Sequence, residues 1–75
     1  MRYKYLVVIY YKVKGDGISS YIEFFESFED DADYALREYI ECINRLGFAI
    51  IKEKDKTGYK AINKSAIVEI TISSC

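Results

Sequence analysis

The feature that most constrains this 75-residue chain is one stripe of apolar residues at helical spacing, Ala32, Ala35, Leu36, Tyr39, Ile40, Ile43 and Leu46. Steps of three and four residues put all seven on one side of a helix, in a band of the width that globular helices bury. The stripe predicts a helix from about Phe28 to Leu46. Ser27 with Asp30 three residues later resembles a capping box, and Glu29, Asp30 and Asp31 suit the positive end of the helix dipole. Gly47 closes the helix as its C′ residue, with Arg45 in the last turn. Cys42 falls at the edge of the stripe, where a half-buried structural thiol is expected.

Such a helix needs an apolar surface to lie on, and the flanking sequence offers strands. From Tyr3 to Val13 every odd position is apolar or aromatic, the period of two of a strand with one buried face. Gly15, Asp16 and Gly17 supply residues that accept positive φ in a tight hairpin. Ile18 to about Phe28 then resumes strand-like composition. A two-residue turn at Gly15 and Asp16 sets Val13 against Ile18, Ile9 against Ile22 and Val7 against Phe24 as core pairs. A turn at Asp16 and Gly17 sets Ile9 against Phe24 instead. These two registers differ by two positions, so either one leaves Leu6, Val8, Tyr10, Tyr21, Glu23 and Phe25 together on the opposite face.

After the helix, Phe48 to Lys54 reads as a third strand and Asp55 to Gly58 as a turn with a left-handed glycine. Ala66, Val68, Ile70 and Ile72 alternate in a last strand, with a bulge or kink expected near Asn63 to Ser65. The expectation is a single α+β domain spanning residues 1–75 in ββαββ order, its helix on one face of an antiparallel-rich sheet. With 51% hydrophobic and 31% charged residues, the composition is that of a folded chain.

The residue inventory argues against an enzyme. There is no histidine, which removes the commonest general base, the usual activator of Ser and Cys nucleophiles and the main nitrogen ligand for zinc. Two cysteines are too few for a structural zinc site. Asp30, Asp31 and Asp33 cluster where a helix start explains them, without the ligand loop and closing Glu of a calcium site. Lys14 to Gly17 lacks the spacing and the strand-to-helix setting of a phosphate loop. Glu38 and Glu41 share a helix face but not a pocket that would split their pKa values. No cofactor and no metal are expected.

Nor does the sequence point to a membrane. The apolar run Tyr5–Tyr11 is far shorter than the roughly 20 residues of a span. Lys12, Lys14 and Asp16 stand where a signal peptide would place small residues. The two cysteines lack the spacing of a disulfide framework. A reducing, cytoplasmic setting is expected.

Two surfaces are candidates for binding a protein partner. The first is the sheet face with Leu6, Val8, Tyr10, Tyr21 and Phe25, which a single helix leaves open and which predicts a homodimer. The alternative is that the C-terminal segment or a curled sheet covers it. The second is the acidic side of the helix, where Glu38, Glu41, Asp31 and Asp33 surround an exposed Tyr34. Residues 23–46 hold eight acids against two arginines, whereas residues 1–22 carry a balance of +3. Blocks of charge this size steer partners at moderate salt.

A competing expectation is single-stranded nucleic acid bound by tyrosines on the sheet with Lys4, Lys12, Lys52, Lys54 and Lys60 around them. The net charge of −1 and the pI near 5.4 weigh against it. In general character, the small Lys-, Ile- and Tyr-rich chain without catalytic groups resembles phage or mobile-element accessory proteins. Some proteins of that kind inhibit host defence complexes, so the resemblance adds inhibition of a host protein complex to the expectations.

Overall fold

A computed structural model describes residues 1–52 and 57–75. It has α+β architecture with the element order β1 (Tyr3–Val13), β2 (Gly17–Ser27), α1 (Ala32–Leu46), β3 (Phe48–Lys52), β4 (Tyr59–Asn63), a short 3-10 turn (Lys64–Ala66) and β5 (Ile67–Ser74). The strands form a three-stranded sheet in the order β2-β1-β5 and a two-stranded sheet β3-β4. All three pairings are antiparallel. The expected turn at Asp55–Gly58, and Lys54 of the third strand, involve residues outside those described.

β1 is the central strand, and its odd side chains Tyr5, Val7, Ile9 and Tyr11 are buried as their alternation requires. Val7, Ile9 and Tyr11 meet Tyr39 and Ile43 of α1 and Ala49, Ile51 and Ile62 of the β3-β4 hairpin in one core. Ile67, Ile70 and Ile72 of β5 pack at its margin. The helix and the second hairpin therefore both lie on the odd-numbered side of the three-stranded sheet.

The β1-β2 register departs from the sequence expectation. Val13 pairs with Gly17, Ile9 with Tyr21, Val7 with Glu23 and Tyr5 with Phe25. The loop is three residues long, Lys14 to Asp16, with Gly15 at φ 82° and Asp16 at φ 56°. Glycine adopts that conformation freely, and aspartate is one of the few other residues that tolerate it. Compared with a two-residue turn the pairing slips by one, and a slip of one sends every β2 side chain to the other face. Val13–Ile18, Ile9–Ile22 and Val7–Phe24 are thus not core pairs. Tyr21, Glu23 and Phe25 point toward the helix instead.

The helix begins at Ala32, the first residue of the stripe and four residues after the expected start near Phe28. Asp31 is the N-cap, its carboxylate accepting the Asp33 N–H at 2.8 Å. Ser27 is not a cap. It ends β2, 2% exposed, where its hydroxyl accepts the Glu29 N–H at 3.0 Å and donates to Glu38 Oε1 at 2.8 Å. Ala35, Tyr39 and Ile43 form the buried seam of α1, while Ile40 and Leu46 are exposed and Cys42 is exposed too, not half-buried as its place at the edge of the stripe suggests. Gly47 ends the helix at φ 86°, donating its N–H to the Ile43 carbonyl at 2.7 Å.

The kink expected near Asn63 is the 3-10 turn, in which Asn63 Oδ1 accepts the Ser65 N–H at 3.0 Å. It redirects the chain from one sheet to the other. The Lys64 N–H bonds to the Gly47 carbonyl at 3.0 Å, tying this turn to the end of the helix. β5 then pairs with β1, with a shift in register between Tyr10 and Tyr11 that turns Ile67 inward and leaves Val68 exposed.

A Cβ at Gly47 would meet open space, so only backbone strain opposes substitution there. Gly47→Ala should lower stability by about 1 kcal/mol, read as a fall in the urea midpoint with an unchanged slope. Ile9→Ala should cost considerably more, about 2–5 kcal/mol, because Ile9 is 1% exposed in the middle of the core.

Candidate functional site

Even-numbered residues of β1 and β2 share the sheet face away from the helix. In cross-strand order they are Lys4 with Glu26, Leu6 with Phe24, Val8 with Ile22, Tyr10 with Ser20 and Lys12 with Ile18. β5 adds Ser73, Thr71 and Glu69 opposite Leu6, Val8 and Tyr10. Leu6, Val8 and Tyr10, on the central strand, are half-buried by their neighbours. The β2 side chains stand open, with Phe24 at 64% exposure, Ile18 at 61% and Ile22 at 59%. The expectation of an apolar outer face therefore keeps its β1 half and changes its β2 half. Tyr21 and Phe25 are replaced there by Ile18, Ile22 and Phe24.

The C-terminal segment does not cover this face. β5 lies in the plane of the sheet beside β1, and α1 and the β3-β4 hairpin occupy the opposite side. A patch of six apolar or aromatic side chains is bounded by two lysines, Lys4 and Lys12, and two glutamates, Glu26 and Glu69. At the rim Lys4 Nζ sits 5.2 Å from the centre of the Phe24 ring, and the Arg2 guanidinium reaches Glu26 at 3.4 Å. These contacts are local to the rim and leave the middle of the patch bare.

On the inner face, Phe25 and Tyr39 meet edge to face with ring centres 5.1 Å apart and planes at 79°. Glu23 is accommodated beside them because the Tyr39 hydroxyl donates to its Oε1 at 2.6 Å. Burial, then the bond to the Glu23 carboxylate and its charge, push the Tyr39 hydroxyl well above the usual phenol pKa. Burial raises Tyr5 as well, its hydroxyl donating to the Glu29 carbonyl at 2.5 Å. Tyr39 thus ties α1 to β2, and Tyr5 holds the chain between β2 and α1 against the sheet.

The helix surface is acidic, and two of its carboxylates are paired with arginines. Tyr34 is 57% exposed, as its position opposite the stripe requires, and the Arg37 guanidinium lies 5.9 Å from its ring centre. Arg37 also reaches Asp33 at 3.2 Å, and Arg45 reaches Glu41 at 3.3 Å. Glu38 accepts the Ser27 hydroxyl and Asp31 caps the helix. Exposed pairs of this kind are worth a few tenths of a kcal/mol, yet each lowers the charge left to steer a partner. Tyr34, Glu38 and Glu41 are thus placed on one helix, while Leu6, Val8 and Tyr10 are on the far side of the sheet, so these two groups belong to different surfaces.

Among the described residues no group of three or more acidic or cysteine side chains converges as a metal site would. No described helix is long and apolar enough to cross a membrane. Comparison with known protein families, curated proteins and solved structures finds no match.

The Tyr39 bond has a consequence for pH. A hydroxyl that holds its proton more tightly in the folded state contributes stability that is complete below the unfolded pKa near 10. That stability is lost as pH rises through the folded value. Melting temperature should therefore fall above about pH 10, and Tyr39→Phe should flatten part of that fall, with Tyr5 supplying the remainder. Near neutral pH the same variant should lose about 1–2 kcal/mol, because Glu23 is left without its donor.

Proposed function

We propose that this chain is a non-enzymatic protein-interaction module that associates with a second copy of itself through the outer face of its three-stranded sheet. The observation that carries the reading is the bare apolar row Ile18, Ile22 and Phe24 beside Leu6, Val8 and Tyr10. Contiguous apolar surface of this kind marks contact sites in proteins, and two such faces can stack as the sheets of a sandwich do. The rim favours a like partner. Lys4 and Lys12 balance Glu26 and Glu69, so the face has no net charge with which to select a strongly acidic or basic partner. A two-fold interface requires a surface that complements itself, and a rim carrying both signs meets that condition.

Magnitudes set the expected strength. Removing the remaining exposed area of Phe24, Ile22 or Ile18 from water is worth on the order of 1–2 kcal/mol per side chain. Both copies contribute all three, for a gross gain on the order of 10 kcal/mol. Association costs about 4–15 kcal/mol in lost freedom. The dimer is accordingly one that forms and dissociates with concentration rather than an obligate pair.

Light scattering coupled to size exclusion, run from about 10 μM to about 500 μM, should show mass rising toward twice the chain mass. Phe24→Glu and Ile22→Lys, both on exposed positions, should hold the protein monomeric with an unchanged circular dichroism spectrum. A monomer across the whole range would sink the proposal, as would a dimer that neither substitution disturbs.

A further inference from the structure

The inner face of the three-stranded sheet is covered unevenly. Near Phe25 it lies under Tyr39, but toward the β1-β2 turn it looks across a groove of about 560 Å³ to Ile51, Lys52 and Lys60 of the second hairpin. One wall of the groove is made by four consecutive residues of β2, Ser19 to Ile22. Successive side chains of a strand point to opposite faces, so a hollow that touches four in a row follows the backbone of the strand and not one of its faces. β2 is the outermost strand of its sheet. Among the described residues, its outward N–H and C=O groups at Ser19 to Ile22 have no strand beside them, the condition under which an edge accepts another strand.

The chemistry of the groove points to the class of occupant. Tyr11 lines it, buried beneath the Lys60 ammonium, which stands 5.9 Å from its ring centre. Lys60 places a positive charge on the wall facing the β2 edge, Lys52 lines the groove at the end of β3, and none of the described lining residues is acidic. We propose that this groove binds an extended acidic peptide segment of another protein. The segment adds to β2 as a further strand along Ser19 to Ile22, with its carboxylates on Lys52 and Lys60. Backbone bonds along an edge supply affinity in this mode, and side chains at alternate positions supply selectivity. In such a strand every second side chain enters the groove and the others continue the outer face beyond Ile22. The fitting sequence therefore alternates acidic and aliphatic residues. The site adjoins the self-association face at Ile22 but does not require a dimer to be present.

The probe is a fluorescein-labelled hexapeptide of alternating Glu and Val, titrated by anisotropy against the wild-type chain and against Phe24→Glu. The peptide is expected to bind both, and Lys52→Glu and Lys60→Glu are each expected to weaken it by about tenfold or more. N-methylation of the amides along one edge of the peptide should abolish binding, while methylation along its other edge should leave it intact, because only one edge faces β2. The proposal is overturned by any of four results: no binding of the acidic peptide, equal binding of the matching Lys and Val peptide, equal effects of the two methylated series, or tighter, lysine-dependent binding of a short oligothymidylate. The last result would assign the groove to single-stranded nucleic acid.

Discussion

The three-residue turn from Lys14 to Asp16 is the constraint on which the rest of the structure depends, because its length fixes the parity of β2. With Val13 opposite Gly17, Tyr21, Glu23 and Phe25 look toward the helix and Ile18, Ile22 and Phe24 look away from it. A two-residue turn would reverse both sets. Phe24 would then lie under α1, Glu23 would stand in solvent, and the Tyr39 hydroxyl, 8% exposed as a residue, would have lost the carboxylate it donates to. A buried donor without a partner costs about 1–3 kcal/mol. Turn length, the Tyr39–Glu23 bond and the bare outer face are consequently a single structural choice.

The passage from sheet to helix is secured by polar groups rather than by apolar packing. Between Ser27 and Ala32 the chain carries three acidic residues, Glu29, Asp30 and Asp31, and Phe28 is 69% exposed. What holds this stretch is the Ser27 hydroxyl, bonded on one side to the Glu29 N–H and on the other to Glu38, together with the Tyr5 hydroxyl on the Glu29 carbonyl. Ser27 and Tyr5 are both 2% exposed, and at that depth a hydrogen bond is stronger than one made in water. Glu38 is thereby bound to the fold's own architecture, although its position on the helix surface makes it look available to a partner.

Much of the fold is legible in the residues, and the illegible parts share a cause. The stripe from Ala32, the alternation in β1, the glycine stop at Gly47 and the kink at Asn63 to Ser65 are local patterns, and each corresponds to an observed feature. The β2 register is not local. Both faces of that strand carry large apolar side chains, Ile18, Ile22 and Phe24 on one and Tyr21 and Phe25 on the other, so a period of two is satisfied in either orientation. Glu23 tilts the reading the wrong way, since the hydroxyl that accommodates it belongs to Tyr39, 16 residues along. Ser27 and Asp30 likewise reproduce the spacing of a helix cap, while Ser27 in fact pairs with Tyr3 in the sheet and uses its hydroxyl on Glu29 and Glu38. The existence of an apolar outer face could be read from Leu6, Val8 and Tyr10. Its β2 half could not, and neither could the groove, which exists only where two hairpins distant in sequence approach.

Coverage, finally, explains why so small a chain leaves apolar surface open. Both elements that could shield the three-stranded sheet, α1 and the β3-β4 hairpin, are drawn to its odd-numbered side by Val7, Ile9 and Tyr11. Among the described residues there is no further element for the other side, and domains of this size bury only about 60% of the surface exposed by the unfolded chain. Ile22 lies on that open side and also lines the groove at the sheet edge. A strand added along the β2 edge would set its outward side chains next to Ile22 and widen the apolar row. Filling the groove and covering the outer face would then favour one another, because the second contact would start from a larger surface than the isolated chain presents.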